Sequence, residues 1–87
     1  MKTATMILDD YNASEKEKKY KSMMRTQEDI ITRAIRDGDV HGNRLFIFSD
    51  REYFHGVQQR WFDEFYERAT KEVEDAGYKV SGICICW

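Results

Sequence analysis

The sequence contains no proline, no low-complexity segment and no internal repeat. A Pro-rich linker is thereby excluded, and element ends must be marked by glycines and capping residues. Long apolar runs are missing too: none approaches the ~20 residues needed to cross a bilayer. Met1–Leu8 lacks the apolar core of a signal peptide, so a soluble, cytoplasmic protein without membrane association is expected. Charge of one sign is not in excess. Fourteen Lys and Arg stand against sixteen Asp and Glu, and the formal net charge of −2 excludes a global attraction to nucleic acid or acidic membranes. There is no Gly-rich phosphate loop, no H-E-x-x-H and no nucleophile elbow, so no catalytic residue is assigned.

Cysteine is scarce, with only Cys84 and Cys86. In a strand they point to one face about 6–7 Å apart, which suits two packed thiols better than a relaxed disulfide. They read as small buried hydrophobes. A metal site would need two more ligands, and His41 and His55 have no recognised spacing to them. No metal and no cofactor are expected.

What is present makes one compact domain of residues 1–87, with 41% apolar and 14% aromatic residues. Residues 3–8 read as a first strand, ended by Asp9, Asp10, Tyr11 and Asn12. Ser14 and Glu17 have capping-box spacing, so a helix is predicted from near Glu15. Tyr20, Met23, Met24, Ile30, Ile31, Ala34 and Ile35 recur at helical spacing, and Gly38 closes the helix. Leu45–Phe48 is apolar on both faces, as a strand covered on both sides would be. Ser49 and Glu52 form a second box, with Phe48 and Tyr53 at staple spacing. A second helix is therefore predicted from about Asp50 to Ala76, with Gly56 as its weak point and Gly77 as its end. Tyr78–Trp87 reads as a final strand, in which Gly82 gives room for a bend or bulge. The expected fold is α/β: a β-α-β-α-β domain with a three-stranded, mainly parallel or mixed sheet and two long amphipathic helices.

Helices of this length span roughly 35–40 Å and a five-residue strand roughly 17 Å, so both helices should overhang the sheet. Tyr20, Met23 and Met24 fall on the overhanging part of the first. They either pack against the second helix or form an exposed patch for binding or dimerisation. Leu45–Phe48 and Ile83–Trp87, apolar on both faces, also point to a homodimer or a tightly covering partner.

Charge is laid out unevenly. Lys16, Lys18, Lys19, Lys21 and Arg25 crowd the start of the first predicted helix. Asp63, Glu64, Glu67, Glu72, Glu74 and Asp75 crowd the second, against Arg68 and Lys71. Basic residues at a helix start and acidic residues at a helix end oppose the macrodipole. Glu15–Lys19, Glu17–Lys21, Glu64–Arg68 and Glu67–Lys71 offset part of this as i,i+4 pairs. The rest makes a dipolar molecule that could pair head-to-tail or present one pole to a partner.

The favoured expectation is a non-enzymatic module that binds another protein. Lys16, Lys18, Lys19, Tyr20, Met23, Met24, Glu64, Glu67, Glu72, Glu74 and Asp75 form the contact. In size and style such a module is similar to small phage and mobile-element accessory or inhibitor proteins, anti-CRISPR proteins among them. A second reading is nucleic-acid binding through Lys16–Arg25, although a strong binder carries a domain-wide basic footprint. A third is Mg²⁺-dependent phosphoryl transfer by Asp9, Asp10 and Asp50 at strand ends. Residues 7–12, Ile-Leu-Asp-Asp-Tyr-Asn, resemble the strand-plus-aspartate opening of PIN-like nucleases, and that resemblance implies the same chemistry.

Overall fold

The chain starts with one helix that holds more than a third of its residues. In the computed structural model, which describes residues 1–87, α1 runs from Ala4 to Arg36 over 33 residues. At 1.5 Å per residue it is about 50 Å long, and it sets the 55 × 24 × 22 Å extents of the molecule. Thr3 caps its start by accepting a hydrogen bond from the Met6 amide at 3.2 Å. Its end is a glycine cap, with Gly38 at φ 106°.

Beyond α1 the elements are short. β1 is Asn43–Leu45, and three 3₁₀ turns follow at Ile47–Ser49, Arg51–Tyr53 and Gln59–Trp61. α2 covers Phe62–Asp75, and a hairpin of β2 (Lys79–Ser81) and β3 (Cys84–Cys86) ends the chain. The sheet order is β1-β3-β2, and both neighbours run antiparallel to β3. Gly82 takes φ 59° in the two-residue turn after Ser81, the position at which a type II′ hairpin requires glycine.

The core lies where α1, α2 and the apolar segment 46–48 meet. Tyr20, Phe46, Ile47, Phe65 and Ile85 are at most 2% exposed. Aromatic rings dominate: Tyr20 meets Phe65 edge-on at 5.4 Å, and Phe54 lies 4.4 Å from Phe62 between centroids. One polar side chain, Gln27, is fully buried among them. Its amide donates to the Leu45 carbonyl at 3.1 Å and its carbonyl accepts from the Ile47 amide at 2.8 Å.

Several expectations are corrected here. The β-α-β-α-β order and the mainly parallel sheet give way to α-β-α-β-β with an antiparallel sheet. Residues 4–8 are helix, because Thr3 supplies the cap and nothing between Asp9 and Ser14 breaks the helix that follows. The Ser14/Glu17 box is therefore helix interior. Leu45–Phe48 leaves the sheet after Leu45: the Phe46 amide makes a last bond to the Ile83 carbonyl at 2.8 Å in the hairpin turn, and the chain then turns, with Gln27 taking the Ile47 amide on the open edge of β1. Asp50, not Ser49, caps the next turn, accepting from the Glu52 amide at 3.0 Å. That turn is a single 3₁₀ turn, and Gly56 at φ 72° helps keep the helix from forming before Phe62.

Candidate interaction surface

Three salient surface features follow from this fold. The first is the N-terminal arm of α1. Residues 1–11 are all exposed, and α1 meets the rest of the chain only from about Asp9 onward, where it shares a cleft with Arg60 and Trp61. Ile7, Leu8 and Tyr11 are 56%, 60% and 61% exposed, too much for core residues of their size. At about 100° per residue, Ala4, Ile7, Leu8 and Tyr11 fall on one side of the helix. That side lies about 160° from the side that buries Tyr20, Met23, Gln27 and Ile31. The stripe is thus a separate apolar face, and its line continues along α1 as Glu15, Lys18, Ser22 and Arg25.

The second feature is a groove of about 410 Å³ between the C-terminal half of α1 and the end of α2. Met24, Ile31, Ile35, Val73, Ala76 and Tyr78 supply its apolar lining, with Glu28 and Glu72 as its carboxylates.

The third is the seam between the helices, which run parallel. Lys16 reaches Glu64 at 3.0 Å, Arg68 grips Glu17 through two bonds of 2.6 and 2.8 Å, and the Tyr20 hydroxyl donates to Glu72. The Arg68 guanidinium also lies 3.8 Å from the Tyr20 ring centroid, in cation–π geometry. The hydrogen bond from Arg68 holds the Glu17 carboxyl below its usual range. Burial, and then the Glu72 carboxylate, push the Tyr20 phenol up. The same bidentate pairing raises Arg68.

The contact residues named from the sequence divide accordingly. Tyr20, Met23 and Met24 are core, 2–9% exposed, packed inside the chain. Lys16, Glu64 and Glu72 are engaged in the interhelix seam. Lys18 and Lys21 pair within α1 with Glu15 and Glu17, each at 3.9 Å. Lys19 is half-buried beside Gly56, while Glu67, Glu74 and Asp75 are exposed on α2. The basic cluster lies three turns inside α1, so it does not oppose the helix dipole; the acidic end of α2 does. Basic and acidic runs lie side by side and cross-pair instead of forming opposite poles.

Asp9 and Asp10 sit on α1, while Asp50 caps a 3₁₀ turn. No group of three or more His, Cys, Asp or Glu side chains converges anywhere in the chain. Of the strands read as apolar on both faces, the residues at 46–48 are covered within one chain, while Ile83 at the hairpin turn is 61% exposed.

The arm stripe went unseen in the sequence, although Ala4, Ile7, Leu8 and Tyr11 have i, i+3, i+4, i+7 spacing. Reading 3–8 as a strand hid it. No helix is long and apolar enough to cross a membrane. No family model, curated protein or solved structure matches this chain.

Proposed function

We propose that this protein acts by binding another protein, with the projecting arm of α1 as the anchor and charge further along the helix as the steering term. The observation that carries this reading is the exposed stripe of Ala4, Ile7, Leu8 and Tyr11 on a helix end free of intramolecular packing. Such spacing suits an apolar groove on the partner.

Magnitude sets the extent of the contact. Covering Ile7, Leu8 and Tyr11 contributes roughly 1–2 kcal/mol each, since each is already about half covered by its own helix. The sum corresponds to about millimolar affinity before any ordering cost. Tighter binding needs the partner to extend along the same line, over Glu15, Lys18, Ser22 and Arg25. Those side chains give orientation and on-rate more than affinity. The arm therefore replaces Tyr20, Met23 and Met24 as the apolar anchor, while Lys18 keeps its place in the contact. A role as a small accessory or inhibitor protein is in keeping with this mode of action.

The test is capture of partners from source cells by the wild type and by a Leu8→Asp/Tyr11→Asp variant, followed by titration of the purified partner. Loss of at least about tenfold in affinity is expected, since two apolar anchors are removed. Equal affinity for both proteins would overturn the reading.

A further inference from the structure

Two helix ends carry charge of the wrong sign for their dipoles. α1 has no acidic residue in its first turn, and Lys2 precedes it. α2 has no basic residue in its last turn, and Glu72, Glu74 and Asp75 lie there. The first is a positive pole that no acidic residue of its own first turn offsets, and the second is a negative pole with added carboxylates. The first is the tip of the arm. The second borders the groove, and Glu28 adds to its negative rim. No lysine or arginine lines that groove.

The apolar parts match as the charges do. The arm offers four side chains at helix-in-groove spacing. The groove offers an apolar trough of about 410 Å³, with Ile35 on its lining still 46% exposed. Asp9 and Asp10, the acids of the arm, lie more than about 100° around the helix from the stripe, and Asp10 is paired with Lys2. Arm and groove cannot meet within one chain. Leu8 and Ile31 are 23 positions apart on the same helix, about 35 Å.

We propose that the arm of one copy docks in the groove of a second copy. The inference rests on reading the arm as a docking element and names one occupant for the groove. Symmetry follows from geometry. A reciprocal two-fold exchange would lay the α1 helices side by side and antiparallel, so one side of α1 would have to present both arm and groove to the same neighbour. The stripe and the groove open about 140° apart around α1, so one neighbour cannot engage both. The association is therefore heterologous and head-to-tail, and it builds open chains that lengthen with concentration.

Sedimentation over a concentration series, with Leu8→Asp and Ile35→Lys variants, tests this. Both positions are exposed, and aspartate early in α1 or lysine in its last turn suits the helix dipole; circular dichroism checks that each variant is folded. Wild type should form a ladder of species that weakens with salt. Each variant alone should stay monomeric, its association weakened at least about tenfold. Mixed in equal amounts they should give a two-chain species and nothing larger, because one supplies an intact arm and the other an intact groove. A wild type that is monomeric throughout overturns self-docking while leaving the proposed protein partner to its own titration. Association lost in Leu8→Asp but retained in Ile35→Lys would show arm-to-arm pairing and overturn the groove as the site.

Discussion

Replacing Gln27 by methionine tests how this fold is held at its least regular point. Gln27 is fully buried on α1 and is the only polar side chain in the core. It donates to the Leu45 carbonyl at 3.1 Å and accepts from the Ile47 amide at 2.8 Å, where the chain leaves β1 and turns. Methionine fills similar space and makes neither bond. A buried backbone group left without a partner costs about 1–3 kcal/mol, and two are stranded. The added apolar burial returns part of this, so a net loss of about 2–4 kcal/mol is expected. A domain of this size has about 4–13 kcal/mol in total, so the variant folds with a much reduced margin. Urea denaturation followed by circular dichroism should show a lower midpoint with an unchanged slope. Thermal unfolding should fall by roughly 10–25 °C. A loss below about 0.5 kcal/mol, the level of a neutral surface change, would refute the claim that Gln27 holds the chain where it leaves the sheet.

Other predictions concern the seam, the break before α2 and the arm. Tyr20→Phe removes the bond to Glu72, at a cost of about 0.5–1.5 kcal/mol. Because burial and Glu72 raise the Tyr20 phenol above its ordinary value near 10, the folded state keeps a proton that the unfolded state releases. This contribution is complete below pH 10 and is lost as pH rises through the folded value. The difference in urea midpoint between wild type and Tyr20→Phe should therefore be flat to about pH 10 and shrink above it; a constant difference counts against the linkage. Glu17 works in the opposite sense. Its lowered carboxyl stabilises the fold above the usual carboxylate range, and that contribution fades as pH falls through the folded value. Comparing acid unfolding of wild type and Glu17→Gln would show it as an extra loss in wild type alone. Gly56→Ala must hold a left-handed φ of 72°, costing about 1–2 kcal/mol, and an unchanged urea midpoint would remove Gly56 as the helix breaker. Hydrogen exchange should be fast at residues 4–11 and slow at 20–34, because the arm has no tertiary packing to oppose fraying. Equal protection in the free protein would mean that the arm is already docked.

The sequence conveyed the parts of this fold that depend on side-chain burial or glycine geometry. The stripe through Tyr20, Met23, Met24, Ile31 and Ala34 lies in the core, and Gly38 and Gly77 end helices at φ 106° and 97°. It misled where a local pattern has two physical solutions. Capping-box spacing at Ser14 and Glu17 is equally compatible with a helix interior when a better start lies upstream at Thr3. Thr-Ala-Thr-Met-Ile-Leu is short and rich in β-branched residues, and only the long α1 decides its state. Leu45–Phe48 looked like a buried strand because buried apolar residues read alike in either state. The bond that holds Leu45 at the end of β1 comes from Gln27, 18 positions away, and no local reading contains it. The candidate site was lost with the second of these errors, since an apolar stripe cannot be seen on a helix that has been read as a strand. The charge clusters were visible, but their cross-pairing depends on the parallel packing of the two helices.

The central claim is that the exposed face of the arm is where a partner binds. Photo-crosslinking in source cells tests it most directly, with the reactive residue placed at position 8, at position 11, or at position 79 on the exposed edge strand. Covalent adducts to another protein at 8 and 11, with none at 79, are the expected result. Adducts at 79 with none at 8 or 11 would contradict it.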